Sequence, residues 1–172
     1  MDAKIGPMSA TRPQSLWLED IEVGQHYRTT EHLLEANEII EFASRYDPQP
    51  FHLSEQGAVG TLFGALAASG WHIAAITMRL VVTSAIPIAT GIIGASIELA
   101  WPTPTRPGDL LHVDLTVDSV TTSRSKPDRG FVAVRYDTVN QHGAVRQHTV
   151  ANLLAFRRPA GEQAPGPRRA SP

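Results

Sequence analysis

The sequence predicts an α+β fold in which a curved antiparallel β-sheet wraps around one long central helix. In "LLHVDLTVDSV", residues 110–120, apolar and polar residues alternate, which is typical of an antiparallel strand with one buried face. "GWHIAAITMRLVV", residues 70–82, is apolar nearly all round, which indicates a helix buried in a protein core. This helix is the one segment large enough to cover the apolar face of a sheet, so the sheet is expected to curve around it.

Length and composition fit a single folded domain with irregular ends. The chain has 172 residues, 42% of them hydrophobic, and it contains no cysteine, which excludes disulfides, thiolate metal sites and a cysteine nucleophile. Both ends are rich in Pro, Gly, Ala and charge, which predicts that residues 1–15 and 159–172 are disordered tails. The folded domain is therefore expected to span residues 16–158.

The remaining elements can be placed in chain order. "LWLEDIEVGQHYRTT" indicates an opening strand or loop that is broken at Gly24. The apolar residues of "EANEIIEFASRYD" follow helical spacing, and Pro48 forbids continuation, so this helix should end at about Tyr46 and Asp47 should begin an irregular segment. Ser69 and Gly70 indicate the cap and the start of the central helix. Further strands are expected at 92–101, 130–140 and 145–158.

Neither a nucleic acid nor a membrane is an expected partner. The net charge is −2, which gives no basic footprint for nucleic acid. Residues 57–78 contain no Asp, Glu, Lys or Arg, but glycines interrupt this run, and the helix inside it has about 13 residues where a bilayer span needs about 20. Residues 1–15 lack the apolar core of a signal peptide, so a cytoplasmic protein is expected.

One Asp/His pair stands out by its setting rather than its spacing. Asp47 and His52 lie five positions apart in "RYDPQPFHLSE", and the same spacing recurs at Asp137 and His142, where it runs from a strand into an exposed turn. The first pair lies between a helix end and the most apolar segment, outside regular structure, with two prolines that stiffen the backbone. This setting makes Asp47 and His52 the candidates for catalysis, with an ordinary polar turn as the alternative.

The start of the central helix supplies a third group for a catalytic site, beside Asp47 and His52. The first N–H groups of a helix have no partner within the helix and lie at its partially positive end. The N–H of Gly70 is thus a donor for a carbonyl oxygen that becomes negative during a reaction. An acid, a base and such a donor are what the addition or removal of water next to a carbonyl requires.

Five stretches of residues 16–158 resemble the MaoC-like dehydratases, which are R-specific enoyl-CoA hydratases of the hot-dog fold: "YDPQPFHLSE", "LFGALAASGWHIAAITMRL", "WPTPTRPGDLL", "SRSKPDRGFVAV" and "VNQHG". The D-x-N-P-x-H motif of that family falls on residues 47–52, and the family's oxyanion glycine falls on Gly70. The resemblance implies reversible hydration of an enoyl thioester, with His52 as general base and Asp47 orienting the water. Gln49 departs from the family's Asn, and Ser69 from a residue that is often His.

The resemblance also implies a substrate, a binding surface and an assembly. The substrate would be an acyl-CoA, with no metal and no further cofactor, and the protein would be a homodimer or a higher homo-oligomer. Gln49, Phe51 and Ser69 are expected to contact the substrate. Coenzyme A phosphates favour basic side chains, so Arg124 and Lys126, with Arg129 and Arg106, are candidates, and a solvated polar hairpin is the alternative.

Two other functions remain open. A hot-dog thioesterase usually places a carboxylate on or near the central helix, and residues 57–80 have none, which counts against that activity. The departures at Gln49 and Ser69 leave room for a non-catalytic subunit that binds acyl thioesters. Turnover of enoyl thioesters distinguishes these alternatives from a hydratase.

Overall fold

The computed structural model describes residues 15–162. Of the two predicted tails, only residue 15 and residues 159–162 fall within that range. The remainder of each tail, residues 1–14 and 163–172, lies outside the described residues.

The described chain has four α-helices and six β-strands. The helices are α1 (Ala36–Tyr46), α2 (Pro50–Leu53), α3 (Glu55–Ala58) and α4 (Gly70–Ser84), and a 3₁₀ turn at Leu18–Asp20 precedes them. The strands are β1 (His26–Arg28), β2 (His32–Leu33), β3 (Ile93–Ala100), β4 (Leu110–Thr122), β5 (Arg129–Val139) and β6 (Val145–Phe156). The four long strands fall where the sequence predicts them.

The strands form one antiparallel sheet that packs on α4. The order across the sheet is β1-β4-β5-β6-β3, and β2 pairs with the start of β4. The alternation predicted for β4 is confirmed, because its inward side chains are all buried: Leu111, Val113, Leu115 and Val117. They meet α4 in one core with Ile73, Ile76 and Leu80. The expected α+β fold, a sheet wrapped around a single central helix, is therefore confirmed.

The central helix differs from the expectation on one side. It starts at Gly70 as predicted and runs two residues further than the predicted segment, to Ser84. In a single chain it is not buried all round, because the side away from the sheet has no cover. Trp71, Met78 and Val82 lie 63%, 40% and 58% exposed on that side.

The segment after α1 is more regular than its prolines suggested. α1 ends at Tyr46 as predicted, and the backbone of Asp47 leaves the helical region, with φ of −151° and ψ of 68°. His52, however, does not lie outside regular structure: it belongs to the one-turn helix α2, which begins at Pro50. Proline is favoured at the first position of a helix because its fixed φ fits and its missing N–H is not needed there, so Pro50 starts a helix while Pro48 ends one.

Among residues 15–162, none of the helices has the length and the apolarity that crossing a bilayer needs.

Candidate active site

The structure brings the side chains of Asp47 and His52 together. α1 delivers Asp47 at its carboxyl end, and the turn of α2 returns His52 toward it, so that Nε2 of His52 lies 3.5 Å from Oδ2 of Asp47. The His52 side chain is 6% exposed and that of Asp47 is 19% exposed. The pair therefore lies at the edge of the core with the carboxylate nearer to solvent.

A backbone carbonyl fixes the tautomer of His52. Nδ1 of His52 lies 2.7 Å from the carbonyl oxygen of Ala67. A carbonyl only accepts hydrogen bonds, so Nδ1 carries the proton and donates it. In the neutral ring, Nε2 therefore has a free lone pair facing the Asp47 carboxylate, which is the arrangement that a general base needs.

The surroundings of Asp47 favour its charged form. Burial alone raises the pKa of this carboxyl, but hydrogen bonds from the side chains of Ser69 and Gln49, together with attraction to His52, outweigh burial and hold the pKa below its ordinary value. The Gln49 amide donates to Oδ1 over 2.8 Å. Asp47 is therefore a carboxylate at neutral pH.

Gly70 presents an unused N–H at the start of α4. The Ser69 hydroxyl accepts from the N–H of Trp71, the next residue along. Within residues 15–162 the N–H of Gly70 has no hydrogen-bond partner. The glycine is also required for packing, because a Cβ at this position would lie 2.8 Å from the Trp101 ring. Trp101 is held in turn by a hydrogen bond from its Nε1 to Gln147.

His52 and Gly70 line the same cavity of about 310 Å³. The lining is mostly apolar and comes from the loop before α4, the start of α4 and the segment after β3: Leu62, Phe63, Ala68, Ile73, Trp101, Pro102, Thr103, Pro104 and Thr105, with Arg146 from β6. A base, a carboxylate beside it and a free N–H thus meet at one largely apolar cavity. Such an arrangement suits proton transfer next to a carbonyl group.

The residues expected to contact substrate beside the dyad form its surroundings instead of the cavity lining. Gln49 is exposed and bonds to Asp47. Ser69 is 1% exposed and lies between Trp71 and Asp47. Phe51 packs its ring against His52 and Phe63, with centroids 4.5 and 4.7 Å apart. All three fix the positions of the reactive groups.

The basic residues proposed for coenzyme A lie elsewhere in the single chain. Arg124 and Lys126 are exposed in the loop between β4 and β5. Gln147, which holds Trp101 at the site, pairs with Thr138 of β5. The loop joins β5 at Arg129, nine residues before Thr138. At roughly 3.3 Å per residue the loop is about 30 Å from that end of the sheet.

Arg106 and Arg129 have partners within the chain. The Arg106 guanidinium donates to the backbone carbonyls of Phe63, Ala65 and Leu66, so it fixes the loop before α4. Arg129 pairs with Asp128 and lies 4.6 Å over the ring of Phe156.

The second Asp/His spacing has no comparable setting. His142 is exposed in the turn between β5 and β6, and Asp137 bonds to His148 of β6 instead. The prediction of an exposed turn is confirmed.

Sequence reasoning missed Arg146 and Thr105 in the cavity wall. Arg146 pairs with Asp109, 37 residues earlier in the chain. No local pattern marks such a pair, because the packing of two distant segments creates it.

Comparisons with known proteins identify the family of this chain. The family model described as "MaoC like domain" matches residues 20–140. The chain belongs to the MaoC-like family. A crystal structure of a MaoC-like dehydratase from Rhodospirillum rubrum is 56% identical, with a TM-score of 0.83, and covers 84% of this chain and 99% of its own.

More distant similarities include one solved structure that shares the fold and one relative found by sequence. The R-hydratase PhaJ1 from Pseudomonas aeruginosa is 24% identical, with a TM-score of 0.66 over 92% of this chain and 97% of its own. The protein YdeM of Bacillus subtilis, described as uncharacterized, is 26% identical over 125 residues, which are 72% of this chain and 87% of YdeM. The sheet and central helix of this MaoC-like chain are those of the hot-dog fold.

Proposed function

We propose that the protein is an (R)-specific enoyl-CoA hydratase, or in reverse a 3-hydroxyacyl-CoA dehydratase. One observation carries the proposal: His52, whose Nε2 is an acceptor in the neutral ring, and the unused N–H of Gly70 line one cavity, with the Asp47 carboxylate beside the histidine. The membership of the MaoC-like family and the similarity to a MaoC-like dehydratase support it.

The proposed reaction adds water across the 2,3 double bond. A water molecule donates one O–H to Nε2 of His52 and the other to Asp47, since both groups only accept here and 3.5 Å is long for a direct bond. The water oxygen bonds to C3 while His52 takes its proton. The electron pair of the double bond moves toward the thioester oxygen, which the Gly70 N–H stabilises. Protonation of C2 from the dyad completes the addition.

Other expectations from the sequence remain part of this proposal. The thioester is carried by coenzyme A, no metal or further cofactor takes part, and the active species is a homodimer in the cytoplasm. Arg124 and Lys126 would contact coenzyme A only across a subunit boundary, because within one chain they are far from the cavity.

The direct test is the hydration of crotonyl-CoA and longer trans-2-enoyl-CoAs, followed by loss of enoyl absorbance. We expect turnover by the wild type, and a loss of about 10²–10⁴-fold in kcat for Asp47→Asn and for His52→Gln. The double variant Asp137→Asn, His142→Gln is the matched control, because it alters the same residue types at the same spacing outside the site. Circular dichroism checks that each variant is folded.

The same samples distinguish the other functions. Release of free thiol from saturated acyl-CoA, detected with a thiol reagent, would indicate a thioesterase. Thermal stabilisation by acyl-CoA without turnover of any enoyl thioester would indicate a binding subunit. Unchanged turnover in both dyad variants would refute the assignment of the site while leaving the activity in place.

A further inference from the structure

The cavity has a polar wall that the proposed reaction does not use. Thr105 and Arg146 line the cavity and have no role in the proposed reaction. Thr105 is only 3% exposed. The Arg146 side chain is 14% exposed. Polar groups buried this deeply usually have partners, so any unused donor or acceptor here points to a ligand.

The Thr105 hydroxyl is unused. Its backbone carbonyl accepts from the N–H of Ala68, which ties the segment after β3 to the loop before α4. Its side-chain oxygen has no hydrogen-bond partner among the residues that the structure describes. A hydroxyl can donate one hydrogen bond and accept others, so Thr105 can bind a polar group in the cavity.

Arg146 keeps three unused N–H groups. Its Nε lies 3.0 Å from Oδ2 of Asp109 but makes no hydrogen bond, one terminal nitrogen donates to Oδ1 of the same carboxylate, and the other donates to Thr103. A guanidinium carries five N–H groups, so each terminal nitrogen retains one with no partner within residues 15–162. Asp109 fixes the plane of the guanidinium and thus the direction of these donors.

The wall offers hydrogen bonds without net charge. Asp109 neutralises Arg146, and burial of Asp109, which raises its pKa, is outweighed by hydrogen bonds from Arg106, Asn140 and Arg146 that hold the pKa below its ordinary value. The Arg106 guanidinium donates to backbone carbonyls of the loop at residues 63–66 and does not line the cavity. A carboxylate ligand would therefore find no uncompensated positive charge at this wall.

We propose that the cavity selects enoyl thioesters whose acyl group is short and ends in a neutral polar group, such as a hydroxyl, bound by Thr105 and Arg146. The proposal rests on the proposed hydratase function and names its substrate class. A volume of about 310 Å³ lies at the lower end of the range for ligand pockets, roughly 300–1,000 Å³, which favours a short acyl group. A short apolar chain leaves the wall's donors unpaired.

The test compares matched trans-2-enoyl-CoAs of about four to six carbons, each with a terminal hydroxyl or with a methyl group in its place. We expect kcat/KM to favour the hydroxyl compound by about tenfold in at least one pair, which is the effect of one lost hydrogen bond. Thr105→Val, which preserves shape, and Arg146→Met should each bring the ratio of the two kcat/KM values close to one. Thr121→Val, at an exposed position of β4, should retain the preference.

Each remaining outcome decides the inference. Preference for the methyl compound in every pair, or an undiminished preference in Thr105→Val, would overturn it. A tenfold higher kcat/KM for a substrate with a terminal carboxylate would contradict the proposal that the end group is neutral. Thr105→Val decides alone where Arg146→Met fails to fold. If the wild type turns over no enoyl thioester, the hydratase function fails, and calorimetric Kd values for the matched saturated thioesters still test the hydroxyl preference.

Discussion

At the scale of single residues, the surroundings of Asp47 determine how the dyad works. Gln49 stands where the related family has Asn, and its longer side chain still reaches Oδ1 of Asp47 over 2.8 Å. It approaches from the solvent side, whereas Ser69 acts from the buried side. Gln49 therefore keeps the carboxylate charged and oriented without lining the cavity, which makes it a positioning residue.

We predict that Gln49→Ala shifts the acid limb of the pH profile. Loss of a donor raises the pKa of Asp47, so the carboxylate takes up a proton at a higher pH than in the wild type as the solution is acidified. We expect kcat/KM at neutral pH to fall by about three- to tenfold, since the bond is partly solvent-exposed, and the acid limb to move to higher pH. The measurement is kcat/KM for crotonyl-CoA between about pH 2.5 and pH 8, because the pKa of Asp47 in the wild type lies below 3.8.

Gln49→Asn is the control for this prediction. The shorter amide preserves the donor, so we expect kcat/KM and the acid limb to stay close to those of the wild type. An acid limb that does not move in Gln49→Ala would contradict the role assigned to Gln49, whatever the loss in rate.

The sequence predicted that Asp47, His52 and Gly70 lie close together, but not which residues form the cavity wall around them. Asp47, His52 and Gly70 are marked by local rules: proline ends a helix, serine caps one, and a helix start leaves an N–H unpaired. Arg146 and Trp101 depend on distant partners, Asp109 and Gln147, which only the packed sheet brings near. The helical turn α2 could be predicted only in part, since Pro50 permits a helix turn without requiring one.

At the scale of elements, a stacked pair of rings holds α1 against the start of α4. The rings of Phe42 and His72 lie 4.6 Å apart and 8° from parallel. This contact joins the helix that delivers Asp47 to the helix that presents Gly70. Nδ1 of His72 is buried with no partner in the described part of the chain, so the ring packs as a neutral, largely apolar group.

We predict that His72 makes the free energy of unfolding depend on pH. Burial lowers the pKa of His72 below 6.5, with Glu38 opposing the shift and His32 adding to it. Below about pH 6.5 the unfolded chain therefore binds the proton more readily than the folded protein. The stability that His72 contributes is complete above this pH and is lost as pH falls through 6.5 toward the lower folded value. Urea unfolding at a series of pH values measures the slope.

Two variants isolate this effect. His72→Phe keeps the stacked ring and removes the buried nitrogen, so we expect equal or greater stability at neutral pH and a flatter decline on acidification. His142→Gln, in the exposed turn, should leave the decline as it is in the wild type. A slope unchanged by His72→Phe would show that another group is responsible.

At the scale of the whole molecule, one side of the single chain has an open sheet edge next to exposed apolar side chains. β3 ends the sheet, so its outer edge has unpaired backbone groups, which in natural proteins are usually covered or paired. Ile97 on this strand is 52% exposed and lines a shallow depression together with Met78 of the exposed side of α4. An open edge and an apolar helix side thus adjoin each other, which favours a twofold contact with a second copy of the chain.

We predict that the homodimer forms through this side and that Ile97→Lys separates it. A lysine at the centre of an apolar contact has to be buried or displaced, so we expect the dissociation constant to rise by about a hundredfold or more. Light scattering after size exclusion, over a range of protein concentrations, gives the mass. Val23→Glu is the control, since Val23 is 65% exposed just before β1, at the opposite edge of the sheet. A wild type that is monomeric at micromolar concentration would contradict the homodimer. A dimer that is broken only by Val23→Glu would place the contact at the opposite edge of the sheet.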